Sequence, residues 1–298
     1  MLLLICSIGL FVWQPSANPN PMTEARSLLS SGKIAEAEKT VRGYLTAHSQ
    51  SAEAHFLLGY ILFKQQNALA SLAEYTEGAK YSTPSAADLE AVASDYILLK
   101  DYPDADKWFT KAVEWNPQDE LGWYYLGRTK YNENRFEEAV QSFQKCLALK
   151  PKDVKAEDNL GLSYQGLNRN EDAMAAFRAA IAWQAIALAK DPGPYLDLGS
   201  LLVDDNQPEK GLPYLLEAAK IAPTDFRMHR ALGKAYAHLD QPEKARAELE
   251  KAAALAPGDA PIHFMLAQVY RKLGMADKAK VESETYSKLT ADGSAPRN

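Results

Sequence analysis

The feature that most constrains this chain is a spacing. Residues 120–153, ELGWYYLGRTKYNENRFEEAVQSFQKCLALKPKD, read as two amphipathic helices joined by the polar turn Asn132-Glu133-Asn134-Arg135. Trp123, Leu126 and Gly127 share one face of the first helix. Phe136, Ala139, Val140, Phe143 and Leu147 share one face of the second, and Pro151 closes the unit. Gly127 and Ala139 are narrow enough for two antiparallel helices to approach within about 8–10 Å, with Trp123 and Phe143 filling the space on either side. From Gly127 to Gly161 is 34 residues, as is Gly199 to Gly233. Stepped along the chain, this register gives Ala25, Gly59, Ala93, Gly127, Gly161, Gly199, Gly233 and Ala267; only the step from Gly161 to Gly199 is longer, by four. Twelve residues after each stands a second small residue: Ala37, Ser71, Ala105, Ala139, Ala173, Gly211, Ala245 and Ala279. Four further on, seven of the eight units carry a larger apolar one: Val41, Tyr75, Phe109, Phe143, Phe177, Leu215 and Leu249. Three columns in register require a helical array of eight units. A single unit buries too little to offset the ordering of its backbone, so neighbours must complete its core.

The residues in these columns resemble the tetratricopeptide-repeat family. The resemblance rests on Trp123, Leu126, Gly127, Ala139, Phe143 and Pro151, then on Leu160, Gly161, Tyr164, Ala173, Phe177 and Ala180, and again on Leu232, Gly233, Tyr236, Ala245, Ala252 and Pro257. It covers roughly residues 18–289. It implies an all-α fold, a right-handed superhelical solenoid of about eight helix-turn-helix units at about 18–51, 52–85, 86–119, 120–153, 154–191, 192–225, 226–259 and 260–290, followed by a loose tail at 291–298. It also implies a platform for other proteins, without saying which. In the fifth unit, the second helix is expected to run past Trp183 to Lys190, one turn longer than its equivalents.

A formal charge of −6 argues against nucleic acid as a partner, since phosphate contacts need clustered cations. Residues 2–13 are a continuous apolar run. As a helix they reach about 18 Å, against roughly 30 Å of bilayer hydrocarbon. The length fits the core of a secretory signal and implies an exported (periplasmic or extracellular) or membrane-tethered protein, with a cytoplasmic address left open. No Lys or Arg precedes Arg26, and Pro15-Ser16-Ala17 makes a poor cleavage site; a misassigned start accounts for both. Ile5 before Cys6 argues against a lipoprotein signal. Cys146 shares a small column with Ala112, Ala180, Ala218 and Ala252, which points to packing.

No catalytic motif is present. There is no Gly-rich loop ending in Gly-Lys-Ser/Thr, no His-Glu-x-x-His, and the string from Gly161 through Ser163 to Gly166 has the wrong spacing for a nucleophile. His55, His229 and His263 take the fourth position of a first helix, as Trp123 and Tyr195 do, which favours a column of flat rings over a metal site. The chain reads as a non-enzyme without cofactor or metal. In each first helix, positions 4, 8 and 11 face the partner helix, while 2, 6, 9 and 13 point away with 5 and 12 on the flanks. In the family, that outer face lines the concave groove where peptides bind. Here it carries Phe56, Tyr60 and Phe63, then Tyr124, Tyr125, Arg128 and Tyr131, then Asp158, Asn159, Asp197 and Asp204, and finally Arg227, Arg230, Lys234, Arg271 and Lys272. Clustered aromatics on such a face point to a partner protein or peptide, its apolar part on the tyrosines and its acidic part near Arg230 and Lys234. The plainer alternative is that these rings pack on each other, or that the amino-terminal segment lies in the groove. Lys155 and Asn159 are a turn apart but sit off the family's clamp for acidic carboxyl-terminal peptides, which disfavours a chaperone-tail receptor. The first reading is a non-enzymatic scaffold or adaptor. The rivals are a tethered envelope assembly factor targeted by residues 2–13 and an accessory subunit of an enzyme on another chain.

Overall fold

The computed structural model describes residues 20–291, in which all regular structure is α-helix. The apolar segment at 1–17, with Cys6, and the tail after Ala291 lie outside the described residues. The helices pair in chain order into antiparallel hairpins and form two compact units that divide between Trp115 and Asn116. The first unit holds α1 (Pro21–Ser30) with α2 (Ile34–Leu45), α3 (Ala52–Lys64) with α4 (Ala68–Ala79), and α5 (Ala86–Leu98) with α6 (Tyr102–Trp115). The second holds α7 (Glu120–Asn132) with α8 (Phe136–Leu149), α9 (Val154–Gly166) with α10 (Asn170–Trp183), α11 (Gly193–Asp204) with α12 (Pro208–Ile221), α13 (Phe226–His238) with α14 (Pro242–Leu255), and α15 (Ala260–Lys272) with α16 (Ala276–Ala291). Within each unit, the second helix of one hairpin packs on the first helix of the next.

Local chemistry sets where helices start and stop. Seven first helices begin behind an acceptor side chain, Asn20, Ser51, Ser85, Asp119, Asp153, Asp225 or Asp259, each taking a backbone N–H two or three residues on. Each hairpin then turns through a left-handed residue at one register: Gly32, Gln66, Lys100, Asn134, Asn168, Asn206, Asp240 and Gly274, with φ between 56° and 78°. The next N–H in each case donates back to a carbonyl five residues earlier, as from Arg135 to Lys130 at 2.9 Å and from Met275 to Tyr270 at 2.9 Å. That bond closes the first helix and aims the second back along it.

The columns meet as sockets. A Cβ on Gly127 would lie 2.8 Å from the Phe143 ring; on Gly161, 2.5 Å from Phe177; on Gly233, 2.5 Å from Leu249. The large residue of the second helix therefore fills the space that the missing side chain of the first leaves. In the sixth hairpin the backbones come closer still, and a Cβ on Gly211 would lie 2.6 Å from the Gly199 carbonyl oxygen. Phe109, Phe143 and Phe177 are among the largest fully buried side chains, so these sockets carry much of the apolar burial.

The fifth hairpin departs from expectation. Its second helix does not reach Lys190; α10 stops at Trp183, in register with the end of α8 at Leu149. The four extra residues lengthen the connection instead. Gln184 cinches it: its amide nitrogen donates to the Asp191 carbonyl at 3.0 Å and its oxygen accepts from the Asp191 N–H at 2.6 Å. The Ala-rich composition favours helix, but residues 185–189 are exposed, and a helix without packing gains little in water. Trp183 is half-buried, while Ile186 and Leu188 are fully exposed on the loop.

Candidate functional site

The predicted strip falls on the first helices of both units. In the first unit, α3 presents Phe56, Tyr60 and Phe63, all half-buried. Phe56 stacks on Tyr75 with centroids 6.2 Å apart, and Tyr60 meets Phe63 at 6.0 Å. A hollow of about 500 Å³ opens beside them, lined by Arg26, Glu53, Phe56, Tyr60, Ser85 and Asp88.

In the second unit, α7 presents Tyr124, Tyr125, Arg128 and Tyr131. Tyr124 sits edge-on to Phe143 at 6.0 Å and to Tyr125 at 5.5 Å, and Tyr131 is edge-on to Phe136 at 5.4 Å. Burial pushes the Tyr124 and Tyr131 phenols upward. Only Tyr125, 39% exposed, offers a solvent-facing ring in this group. The plainer account therefore covers most of the aromatic cluster: the rings pack against their own core. Tyr125 and Tyr124 nonetheless border a hollow of about 480 Å³ with Arg128, Lys150, Asp153 and Lys155. Half-buried Asn159 spends its amide on the Lys155 carbonyl at 2.8 Å.

A further hollow of about 560 Å³ holds Asp197, Asp204, Arg227, Arg230, Lys234 and Phe264. Its bases already have acids. Arg227 reaches Asp225 at 2.6 Å, Arg230 reaches Asp259 at 2.9 Å, and Lys234 pairs with Asp204. On α15, Lys272 pairs with Asp240, and Arg271 donates to Ser283 Oγ at 2.8 Å. Exposed Phe264, against Tyr286 at 5.3 Å, is a ring that the sequence reading passed over. Its position five, shared with Phe56 and Tyr124, was the available signal.

The histidines have a structural role. His55 Nε2 lies 2.9 Å from the Ser49 carbonyl and Nδ1 lies 2.7 Å from Glu74. His229 repeats this with Pro223 and Glu248, and His263 with Pro257 and Glu282. Trp123 Nε1–H donates to Pro117 at 3.0 Å, the same offset of six residues. A flat ring in this column thus satisfies a carbonyl of the preceding connection. Burial pulls the His55 pKa down, but the Ser49 carbonyl, Glu74 and Glu77 more than offset it, and the net direction is upward.

Other reactive side chains are taken up by packing. Ser163 Oγ donates to the Asn159 carbonyl at 2.7 Å. Cys146 is buried, which pushes its thiol up to about 11. Among the described residues, no group of three or more His, Cys, Asp or Glu could hold a metal, and no helix is long and apolar enough to cross a membrane.

The tetratricopeptide repeat pattern matches residues 22–87, 120–153, 158–186, 226–269 and 260–291, together more than half of the chain. The peroxisomal targeting signal receptor of Kluyveromyces lactis is 54% identical over 48 residues, which make up 16% of this chain and 8% of that protein. Among solved structures, the APC/C hetero-tetramer Cut9-Hcn1 is similar with a TM-score of 0.65 at 16% identity, over 91% of this chain and 53% of that one. PilW, described as a widely conserved type IV pilus biogenesis factor, gives 0.61 at 21% identity, over 70% of this chain and 94% of that one. At such identities the likeness is one of fold. With its hairpins in a single register and the family's pattern matched along most of them, the chain belongs to the tetratricopeptide repeat family.

Proposed function

We propose that the chain is a non-enzymatic scaffold that holds a segment of a partner protein against the outer face of its first helices. The observation that carries this reading is Tyr125, a ring exposed beside a 480 Å³ hollow whose rim also holds Arg128 and Lys155. An aromatic anchor with polar neighbours is the usual composition of a binding hot spot. The partial match to a receptor named for a targeting signal supports a peptide-like ligand. The apolar run at residues 2–13 supports an exported or membrane-tethered address, which sequencing of the mature amino terminus would test.

The test begins with a photo-crosslinker at exposed Leu121, on the rim of the same hollow, to identify a partner. The purified partner is then titrated against the parent protein and against Tyr125→Ala combined with Arg128→Ala. Loss of a hot-spot ring costs at least about 2 kcal/mol of binding, more than tenfold in Kd. Helicity and melting temperature should stay within the range expected of surface changes. Equal affinity of the two proteins would remove the reading.

A further inference from the structure

Charge along the outer face of the second unit is unevenly settled. The bases on α13 and α15 are engaged within the chain: Arg227 with Asp225, Arg230 with Asp259, Lys234 with Asp204, Lys272 with Asp240 and Arg271 with Ser283. Two acids, Asp158 of α9 and Asp197 of α11, are not. Among the described residues, neither Asp158 nor Asp197 has an ion pair. Asp158 is only 9% exposed, and its Oδ1 is buried without a hydrogen-bond partner. Its Oδ2 lies beside Gly193, where a Cβ would be 2.9 Å away, and Asp191 Oδ1 lies 3.1 Å from the same point. Asp191 also accepts the Gly193 N–H at 2.9 Å. Asp158 of α9 and Asp191 of the connection thus meet at the one residue that has no side chain, and Asp197 stands one turn on from it along α11.

Such an arrangement is costly when left alone. A buried carboxylate without a donor loses its hydration and gains nothing in return. Burial first, and then the neighbouring carboxylates, hold Asp158 above the ordinary range. Burial likewise raises Asp197; Arg227 pulls the other way and Asp191 adds to the rise. Arg227 acts only at a distance, because its guanidinium forks onto both oxygens of Asp225. Half-buried Tyr131 stands on the α7 side, its phenol pushed up by burial and then by Asp197.

We propose that Asp158, with Asp191 beside it at Gly193 and Asp197 one turn on along α11, seats a cationic side chain, an arginine or lysine of the bound segment, so that the partner is basic where it crosses α9 and α11. This rests on the scaffold reading above and reverses the charge expected from the basic residues in the sequence. The bases that looked available are occupied, while two of the acids that looked incidental, Asp158 and Asp197, have no ion pair among the described residues. A guanidinium donates in a planar fork that matches carboxylates, whereas a bare metal ion asks for more ligands. Such an ion would also find no set of three or more ligands among the described residues.

The probe is the tripeptide acetyl-Ala-Arg-Ala-amide, titrated into the full chain while side-chain carboxyl carbons are followed by NMR. Its Glu counterpart and calcium chloride alone serve as comparisons. The Arg peptide should shift the Asp158 and Asp197 signals, and the Glu peptide should not. Cation binding requires ionised carboxyls. With burial and Asp191 opposing ionisation and Arg227 favouring it at Asp197, affinity should fall about tenfold or more from about pH 8.5 to about pH 6. Asp158→Asn with Asp197→Asn should abolish the response. Asp197→Asn alone should weaken it and serves if the double variant loses helicity. Tyr125→Ala should leave the response intact, which separates this proposal from the anchor reading. Equal shifts with both peptides, a response to calcium but not to arginine, or an unchanged response in the folded variants would overturn it.

Discussion

At the scale of single residues, Asp95 of α5 is the most expensive choice in the first unit. It is fully buried, and neither carboxylate oxygen has a hydrogen-bond partner. The same register is held by Thr129 and Ser163, whose hydroxyls donate to the carbonyl four residues back at 2.9 Å and 2.7 Å. An ionised aspartate cannot make that bond. Burial pushes Asp95 up to about 6, against an ordinary value near 3.9 in an unfolded chain. The folded form therefore holds its proton longer, and stability is lost as pH rises from about 4 through about 6. Asp95→Thr should restore the hydroxyl pattern and raise stability above pH 7 by roughly 2–3 kcal/mol, from about two pKa units at 1.36 kcal/mol each. The gain should fade near pH 4. Urea denaturation at both pH values would check this, and an equal gain at both would refute the ionisation account. Tyr124 shows the opposite economy. Because it packs against Phe143, Tyr124→Ala would remove core as well as surface, so Tyr125 is the cleaner handle on binding.

At the scale of the hairpin, the turn is where local preference and the repeat disagree. Six of the eight left-handed positions hold Gly, Asn or Asp, but Gln66 and Lys100 adopt φ of 60° without those allowances. A left-handed conformation costs an ordinary residue about 1–2 kcal/mol. Lys100→Gly should therefore stabilise the first unit by up to about 1 kcal/mol, after the greater unfolded entropy of glycine is subtracted. A thermal melt of that single variant would show it, and a lower midpoint would mean that the lysine side chain contributes a contact that outweighs the strain. The small and large columns were legible in sequence because sterics leave few residues that fit them, such as Gly127 under Phe143. The turn column was hidden by Gln66 and Lys100, which carry no turn signature. The end of α10 was hidden for a related reason: alanines favour a longer helix, and only the register of packing shows where support stops. The charge balance of the strip could not be read from single helices. Arg230 and Asp259, or Lys234 and Asp204, come from neighbouring hairpins and meet only once these stack.

At the scale of the molecule, three described hairpins form one compact unit and five form the other. Repeat arrays draw stability from nearest-neighbour interfaces, and a few stacked hairpins suffice. Residues 20–115 and 116–291, expressed separately, should each be helical and unfold cooperatively by circular dichroism. A fragment that remained unfolded would show that its core needs the other. The double hydrogen bond between Gln184 and Asp191 has a practical consequence of its own. It staples the base of a peptide bulge, so the stretch carrying Ile186 and Leu188 can be rewritten or extended without dragging α10 or α11 along. The protein thereby possesses a built-in grafting port, where an epitope or dye could be installed while the rest of the chain keeps its step.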